Sequence, residues 1–117
     1  MPSPVDALRN SLSRSRELNI TVTGRKSGHK ISIPVWFVLE DDTLYLLPVK
    51  GSDTQWYKNV LKNSTIQIKA GRAETELKVV PVADPAPVVE KFRGKYGAKD
   101  VKKYYSKLDV AVVAQLG

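Results

Sequence analysis

Residues 18–37, Leu-Asn-Ile-Thr-Val-Thr-Gly-Arg-Lys-Ser-Gly-His-Lys-Ile-Ser-Ile-Pro-Val-Trp-Phe, carry the clearest structural pattern in the chain. Ile20 and Val22 alternate with polar residues before the first glycine, and Ile31 and Ile33 resume the same period of two after the second. A period of two is typical of a strand that is buried on one side. The pattern therefore predicts two strands joined by a turn at residues 24–28.

The predicted turn places two cations and a hydroxyl between two glycines. Gly24 and Gly28 flank Arg25, Lys26 and Ser27. Glycine accepts a positive φ and lets a ligand approach the backbone, so the N–H groups of this turn, with the basic side chains, predict a phosphate site. An ordinary exposed hairpin turn with solvated charges is the alternative, and composition alone favours it.

Outside this hairpin, strand patterns outnumber helix patterns. The sequence predicts one helix at about residues 4–16 and a second that is capped by Asp53 or Thr54 and runs through residue 61. A third helix is predicted around residues 88–92, where Gly94 and Gly97 end it, and a helix or turn follows at 101–105. Strands are predicted at 18–23, 29–40 with a bend at Pro34, 43–49, 64–70, 73–82 and 108–113. The connections are too short for parallel crossovers, so we expect an α+β fold whose mainly antiparallel sheet closes into a small barrel.

Composition limits the kinds of site that the chain can carry. With 117 residues we expect a single domain, 1–117, whose first 17 residues form a helical segment. No cysteine is present, which excludes disulfides and thiolate metal sites, and a lone His29 argues against a multi-histidine centre, so we expect no metal. No signal pattern or apolar run long enough to span a bilayer is seen, so we expect a cytoplasmic protein.

The net charge of +7 comes mostly from the two ends of the chain. Such an excess indicates an anionic partner, which could be a phosphorylated cofactor, nucleic acid or an acidic membrane surface. The strands lack dense alternation of basic and aromatic residues, which argues against nucleic acid. A nucleic-acid-binding small barrel nevertheless remains an alternative at this point.

The turn at residues 24–28 is the first of several motifs whose order matches a known family. The motifs that follow it are Pro34, Asp41-Asp42, Lys50-Gly51-Ser52, Trp56-Tyr57-Lys58-Asn59-Val60 and Asn63-Ser64. In this order and spacing, over about residues 18–82, the chain resembles the deazaflavin (coenzyme F-420)-dependent nitroreductases. These belong to the split β-barrel flavin and deazaflavin oxidoreductases, which have a pyridoxamine-phosphate-oxidase-like fold, and the resemblance implies a split barrel of about six strands with flanking helices.

The resemblance also implies a function and a set of site residues. It implies an oxidoreductase that binds coenzyme F-420 and transfers hydride to an electron-poor nitro compound, quinone or enone. FMN is the alternative cofactor, a homodimer is possible, and no catalytic residue is assigned. The residues implied to bind the cofactor are Arg25, Lys26, Ser27 and Gly28 at its phosphate and tail, Lys50, Gly51 and Ser52 in a neighbouring loop, Pro34 and Trp36 near the ring, and Trp56 and Asn59 beside it.

The chain also departs from the family pattern. Ile31 stands where the family usually has a further arginine, and Lys30 is predicted to face the other side of the strand. Tyr96, Tyr104 and Tyr105 are candidates for a substrate wall, although tyrosines packed under a lysine-rich helix are the favoured interpretation.

Overall fold

Six antiparallel strands close into a barrel in the computed structural model, which describes residues 4–116 and their side chains from residue 6 onward. The strands are β1 (Glu17–Thr23), β2 (Lys30–Glu40), β3 (Thr43–Leu46), β4 (Thr65–Ala70), β5 (Ala73–Val82) and β6 (Ala111–Gln115). The helices are α1 (Pro4–Ser13), α2 (Gln55–Lys62), α3 (Ala86–Tyr96) and α4 (Ala98–Tyr104), with a single 3₁₀ turn at Gly51–Asp53 before α2. The expected α+β antiparallel barrel is confirmed. The ends of the expected 1–117 domain, residues 1–3 and 117, lie outside the described residues.

The strands follow one another around the barrel in the order β1-β2-β3-β6-β5-β4, and β4 closes the barrel on β1. The β1–β2 hairpin runs in register from Glu17 opposite Trp36 to Thr23 opposite Lys30. Beyond Trp36, strand β2 leaves β1 and pairs with β3 instead, with Phe37 opposite Leu46. Strand β2 therefore belongs to both halves of the barrel, as does β5, which pairs with β4 over residues 73–78 and with β6 over residues 79–82.

Alternating apolar residues fill the barrel, as their period predicts. Leu18, Ile20 and Val22 of β1 are buried, and α1 and α2 close the core. On the β4–β5 hairpin, four alternating residues are buried, namely Ile66, Ile68, Leu77 and Val79. A second cluster packs α3 and α4, through residues such as Phe92 and Val101, against the outside of β2, β3 and β6.

Four predicted boundaries are wrong, each for a local reason. Helix α1 ends at Ser13 rather than residue 16, because Glu17 already belongs to β1 and pairs with Trp36. Helix α3 runs through Gly94 and ends only at Gly97, whose φ is +93°, because burial of Phe92 and Tyr96 compensates for one interior glycine. Strand β3 ends at Leu46 rather than residue 49, just before Pro48, which has no N–H for a ladder. Strand β6 begins at Ala111 rather than residue 108, since Asp109 is held by Ser52 instead.

One edge of β2 has no strand beside it along residues 30–36, which pair only with β1 among the described residues. The Gly24 N–H donates to the His29 carbonyl, and hydrogen-bonded pairs alternate in an antiparallel ladder. The odd-numbered residues of this segment therefore bond to β1, and the backbone groups of Ser32 and Pro34 face the open edge. Pro34 fits this edge because it has no N–H to leave unpaired.

Candidate cofactor site

The turn at residues 24–28 is tightly built and leaves two N–H groups free. Gly24 and His29 pair at its base, the Gly28 N–H donates to the Gly24 carbonyl at 2.9 Å, and the His29 N–H donates to Ser27 Oγ at 3.2 Å. Gly28 takes a φ of +74°, as expected for this turn. The N–H groups of Lys26 and Ser27 have no partner within residues 4–116. Successive free N–H groups in a turn are the donors that anion-binding concavities use.

Arg25 is hydrogen-bonded to helix α2 through its side chain. Its backbone N–H and its guanidinium donate to Asn59 Oδ1 at 3.1 and 2.8 Å, and the guanidinium also donates to Gln55 Oε1 at 2.8 Å. Asn59 is buried on α2. Arg25 and Asn59, which were both predicted to bind the cofactor, therefore contact each other and fasten the turn to α2.

A polar cleft opens beside the turn. Its cavity measures about 470 Å³ and is lined by Thr23, residues 24–28, Lys62 and Asn63. Lys62 lies at the end of α2, and its ammonium is 3.4 Å from the Arg25 carbonyl. Lys30 bonds to Thr23 Oγ1 at 3.0 Å and is not among the residues that line the cleft. Ile31, which is exposed, has no charge to offer. The cations that line the cleft are Arg25, Lys26 and Lys62.

An apolar pocket of about 400 Å³ lies at the opposite end of the hairpin. It is lined by Glu17, Pro34, Val35, Trp36, Leu47, Val49, Tyr104 and Tyr105. From Thr23 to Glu17 the hairpin spans six residue steps, or about 20 Å along the strand. The predicted residues Pro34 and Trp36 thus line a pocket that is separate from the cleft but is built on the same hairpin.

Aromatic rings hold Trp36 in place. Its ring stacks on Tyr96 with a centroid distance of 4.2 Å, and Tyr104 meets it edge-on at 5.4 Å. Tyr105 lies tilted at 6.1 Å and is buried, and burial raises its pKa, so its hydroxyl stays protonated. Tyr96 and Tyr105 pack under the helices, as favoured from the sequence, while Tyr104 and Tyr105 also line the pocket.

The hydroxyl of Tyr96 anchors β2 where that strand changes partner. It accepts the Phe37 N–H at 3.1 Å and lies within hydrogen-bond distance of the Phe37 and Arg16 carbonyls. Burial raises the pKa of Tyr96, which keeps this donor protonated. Lys95 donates to the same Phe37 carbonyl at 2.9 Å, and burial together with nearby Arg16 lowers the pKa of Lys95 to about 8.

In the loop at residues 50–52, the donors of Ser52 are already occupied by a carboxylate of the protein itself, that of Asp109. The Ser52 N–H and hydroxyl donate to Asp109 at 2.9 and 2.6 Å. Gly51 has a φ of +56°, and a Cβ there would lie 2.0 Å from Asp109 Oδ1, so only glycine fits. The Ser52 hydroxyl, with the nearby Lys107 ammonium, holds the pKa of Asp109 below its usual range. The structure thus places the Ser52 donors against Asp109, while Val49 of the preceding segment lines the apolar pocket.

In α2, the structure shows how the predicted cap residue Thr54 and the predicted site residue Trp56 are placed. Thr54 caps α2 by position, but its hydroxyl accepts the Lys50 N–H at 2.8 Å instead of a helical N–H. Trp56 is 5% exposed and belongs to the barrel core, and neither pocket wall includes it.

Sequence reasoning missed Lys62, Asn63 and Asp109. Lys62 lies three residues after Asn59 on α2, so helical spacing could have placed the two on neighbouring positions of one face. Asp109 had no such signal, because its contact with Ser52 joins segments that are 57 residues apart.

Solved structures with this fold have diverse functions. An F420-H2 dependent reductase (FDR-A) superposes with a TM-score of 0.66 at 20% identity, covering 86% of this chain and 94% of the other. A putative pyridoxamine 5'-phosphate oxidase from Listeria innocua gives 0.69 at 13% identity, covering 97% and 92%. The heme storage protein HutZ from Vibrio cholerae gives 0.70 at 11% identity, covering 93% and 87%. The chain therefore has the split-barrel fold that was expected from its motifs.

The sequence family is shown by a family model that covers most of the chain. The family model described as uncharacterized protein conserved in bacteria (DUF2255) matches residues 9–115, and the chain belongs to this family. No curated protein matches the chain. Among the described residues, no helix is long and apolar enough to cross a membrane, and no group of acidic or histidine side chains is arranged to hold a metal ion.

Proposed function

We propose that this protein is an oxidoreductase that binds the deazaflavin coenzyme F-420 and transfers hydride to an electron-poor small molecule. One observation carries the proposal: the β1–β2 hairpin bears a polar, cation-lined cleft at its turn and an apolar aromatic pocket at its other end. An elongated molecule with an anionic tail for the cleft and an apolar ring for the pocket matches both cavities. The fold shared with an F420-H2 dependent reductase supports the same choice.

The two ends of the hairpin would have different tasks. The free N–H groups of Lys26 and Ser27 would hold the phosphate, where charge-assisted hydrogen bonds are about twice as strong as neutral ones. Arg25 and Asn59 would keep that turn in place through α2 rather than bind the phosphate themselves.

At the pocket, the chain would orient the ring and exclude water. The reduced deazaflavin supplies the hydride when it is bound. Pro34, Trp36 and Tyr104 would form the apolar wall, and the stack on Tyr96 fixes the Trp36 ring. The Ser32 N–H group on the open edge of β2 is a donor that would stabilise negative charge on a ring placed beside it.

A paired titration tests the proposal. Purified protein is titrated with coenzyme F-420 and with FMN while tryptophan fluorescence is followed. Because Trp36 lines the pocket and Trp56 lies in the core, the quenching should be weaker in Trp36→Phe than in Trp56→Phe. Saturable binding of F-420 supports the proposal, and preferential binding of FMN would assign the alternative cofactor. Binding of neither would overturn it.

The remaining expectations are tested in the same preparation. Oligonucleotide binding that falls steeply with salt would instead support the nucleic-acid alternative. We propose that the protein acts in the cytoplasm. We also propose that it forms a homodimer, since Val49 and Tyr104 leave an apolar rim exposed around the pocket. Light scattering during gel filtration measures the mass in solution, and a monomer at working concentration would contradict the dimer.

A further inference from the structure

The polar cleft contains a cation that comes from a different element than the turn. Lys62 is the last residue of α2, and its Nζ lies 3.4 Å from the carbonyl oxygen of Arg25. Arg25 directly precedes Lys26 and Ser27, whose N–H groups are free within residues 4–116. The Lys62 side chain is exposed, and this long contact with a neutral carbonyl is its only one in the part of the chain that the structure describes. Its ammonium is therefore available to an anion beside the turn.

The other cations near the turn are less available. The Arg25 guanidinium is engaged by Asn59 and Gln55, and Lys30 bonds to Thr23. Ile31, the next residue along β2, is apolar. Lys26 and Lys62 thus remain as the ammonium groups of the cleft, one from the hairpin and one from α2.

Helix α2 is fixed relative to the turn, which gives Lys62 a defined position. Asn59 lies one helical turn before Lys62, and its side chain accepts both the backbone N–H and the guanidinium of Arg25. The same contact that occupies Arg25 therefore brings the end of α2 to the cleft. Because the residues Lys62 and Asn59 are spaced i, i+3, they occupy neighbouring positions on the helix.

We propose that Lys62 binds the phosphoryl group of the cofactor together with the free N–H groups of Lys26 and Ser27, and that Arg25 acts as a positioning residue. The assignment rests on the proposed function. It names a residue outside the turn that sets how tightly the anionic part of the cofactor is held, whereas the ring is held by the aromatic pocket.

The test compares a ligand that has the phosphate with one that lacks it. The probes are coenzyme F-420 and its ring-plus-ribityl fragment, and the dissociation constant of each is measured for wild type and Lys62→Gln. We expect Lys62→Gln to weaken F-420 binding about tenfold, because one charge-assisted hydrogen bond is lost, and to leave binding of the fragment unchanged. Lys62→Arg should retain most of the affinity for F-420. Should FMN prove to be the ligand, FMN and riboflavin replace this pair.

A matched control removes the same charge elsewhere. Arg72, exposed at the β4–β5 turn, is at the opposite end of β4 from Asn63, so Arg72→Gln should leave both constants unchanged. The wild-type advantage in F-420 binding should also shrink as salt rises.

The outcomes separate this inference from the proposed function. If wild type binds F-420 and Lys62→Gln binds it equally well, the role of Lys62 is overturned while the cofactor assignment stands. Equal loss of both probes would also overturn it, because Lys62 would then act through the fold. Binding of no probe by wild type would overturn the proposed function, and the Lys62 assignment with it.

Discussion

Asp109 shows how one side chain can shape a loop that the sequence marks only by its glycine and serine. Its carboxylate accepts both donors of Ser52 in the space that Gly51 leaves open. The sequence motif at residues 50–52 suggests a ligand loop, but the internal carboxylate already meets the donors of Ser52. A long-range contact of this kind leaves no periodic trace in a sequence.

Acidification should weaken this contact. The pKa of Asp109 in the folded protein lies below its ordinary value of 3.8, so its contribution to stability is complete above that value. The contribution is lost as the pH falls through the folded-state pKa. We expect the melting temperature to drop over this acidic range in wild type and to drop less in Asp109→Asn. Identical pH profiles for the two proteins would contradict the assignment.

Tyr96 is a second residue whose role depends on a single polar atom. Tyr96→Phe should lower the free energy of unfolding by about 1–3 kcal/mol, because the buried Phe37 N–H would lose its hydrogen-bond partner. Urea unfolding measures the loss. Tyr104→Phe is the control, since Tyr104 is exposed and its hydroxyl has no hydrogen bond among the described residues, and an equal loss there would exclude this explanation.

At the scale of elements, helix α3 shows why glycine is an ambiguous boundary signal. Gly94 lies in the helix, whereas Gly97 has a φ of +93° and ends it. The two residues look alike in the sequence. The apolar spacing of Val88, Val89 and Phe92 continues to Tyr96, and including Tyr96 in that spacing would have carried the predicted helix past Gly94.

Alanine at these two positions should have opposite effects. A Cβ at Gly94 meets nothing within 4 Å, so Gly94→Ala should raise the free energy of unfolding by about 0.5–1 kcal/mol through lower chain entropy. Gly97→Ala should destabilise the protein, because alanine is strained at that φ even though the space around it is open. Chemical denaturation compares them, and a stabilising Gly97→Ala would refute the argument.

The contact between the β1–β2 turn and α2 is also a property of two elements. Arg25→Ala should lower the free energy of unfolding by about 1–2 kcal/mol and speed amide hydrogen exchange in α2, because the guanidinium bonds to Asn59 and Gln55 disappear. Lys26→Ala provides the comparison, since its side chain makes no described bond. Unchanged exchange in Arg25→Ala would show that α2 is held by its apolar face alone.

For the whole molecule, the sequence predicted the fold better than the site. Strand periodicity follows from burial on one face, so the six strands could be inferred from apolar spacing, and the short connections between them favoured an antiparallel barrel. The site depends on side-chain contacts between distant segments. The residues 25–28, Pro34 and Trp36 were recognisable as a local motif, whereas the Arg25–Asn59 contact and the position of Lys62 follow from how α2 docks.

Ligand binding should be visible in the stability of the entire barrel. At a free concentration of 100 times the dissociation constant, a ligand that binds only the folded state adds about 2.7 kcal/mol. We therefore expect coenzyme F-420 to raise the melting temperature by several degrees. Fluorescence saturation without any rise in melting temperature would argue that the ligand binds the unfolded chain as well.

The open edge of β2 has a consequence for how the protein behaves among its own copies. An unpaired strand edge is a template on which a strand of another chain can add, and this is a common route to aggregation. Pro34 interrupts the row of donors at the middle of the edge, and the charge of Lys30 lies at one end. The proline that removes a donor from the middle of this edge therefore also protects the protein against edge-to-edge assembly.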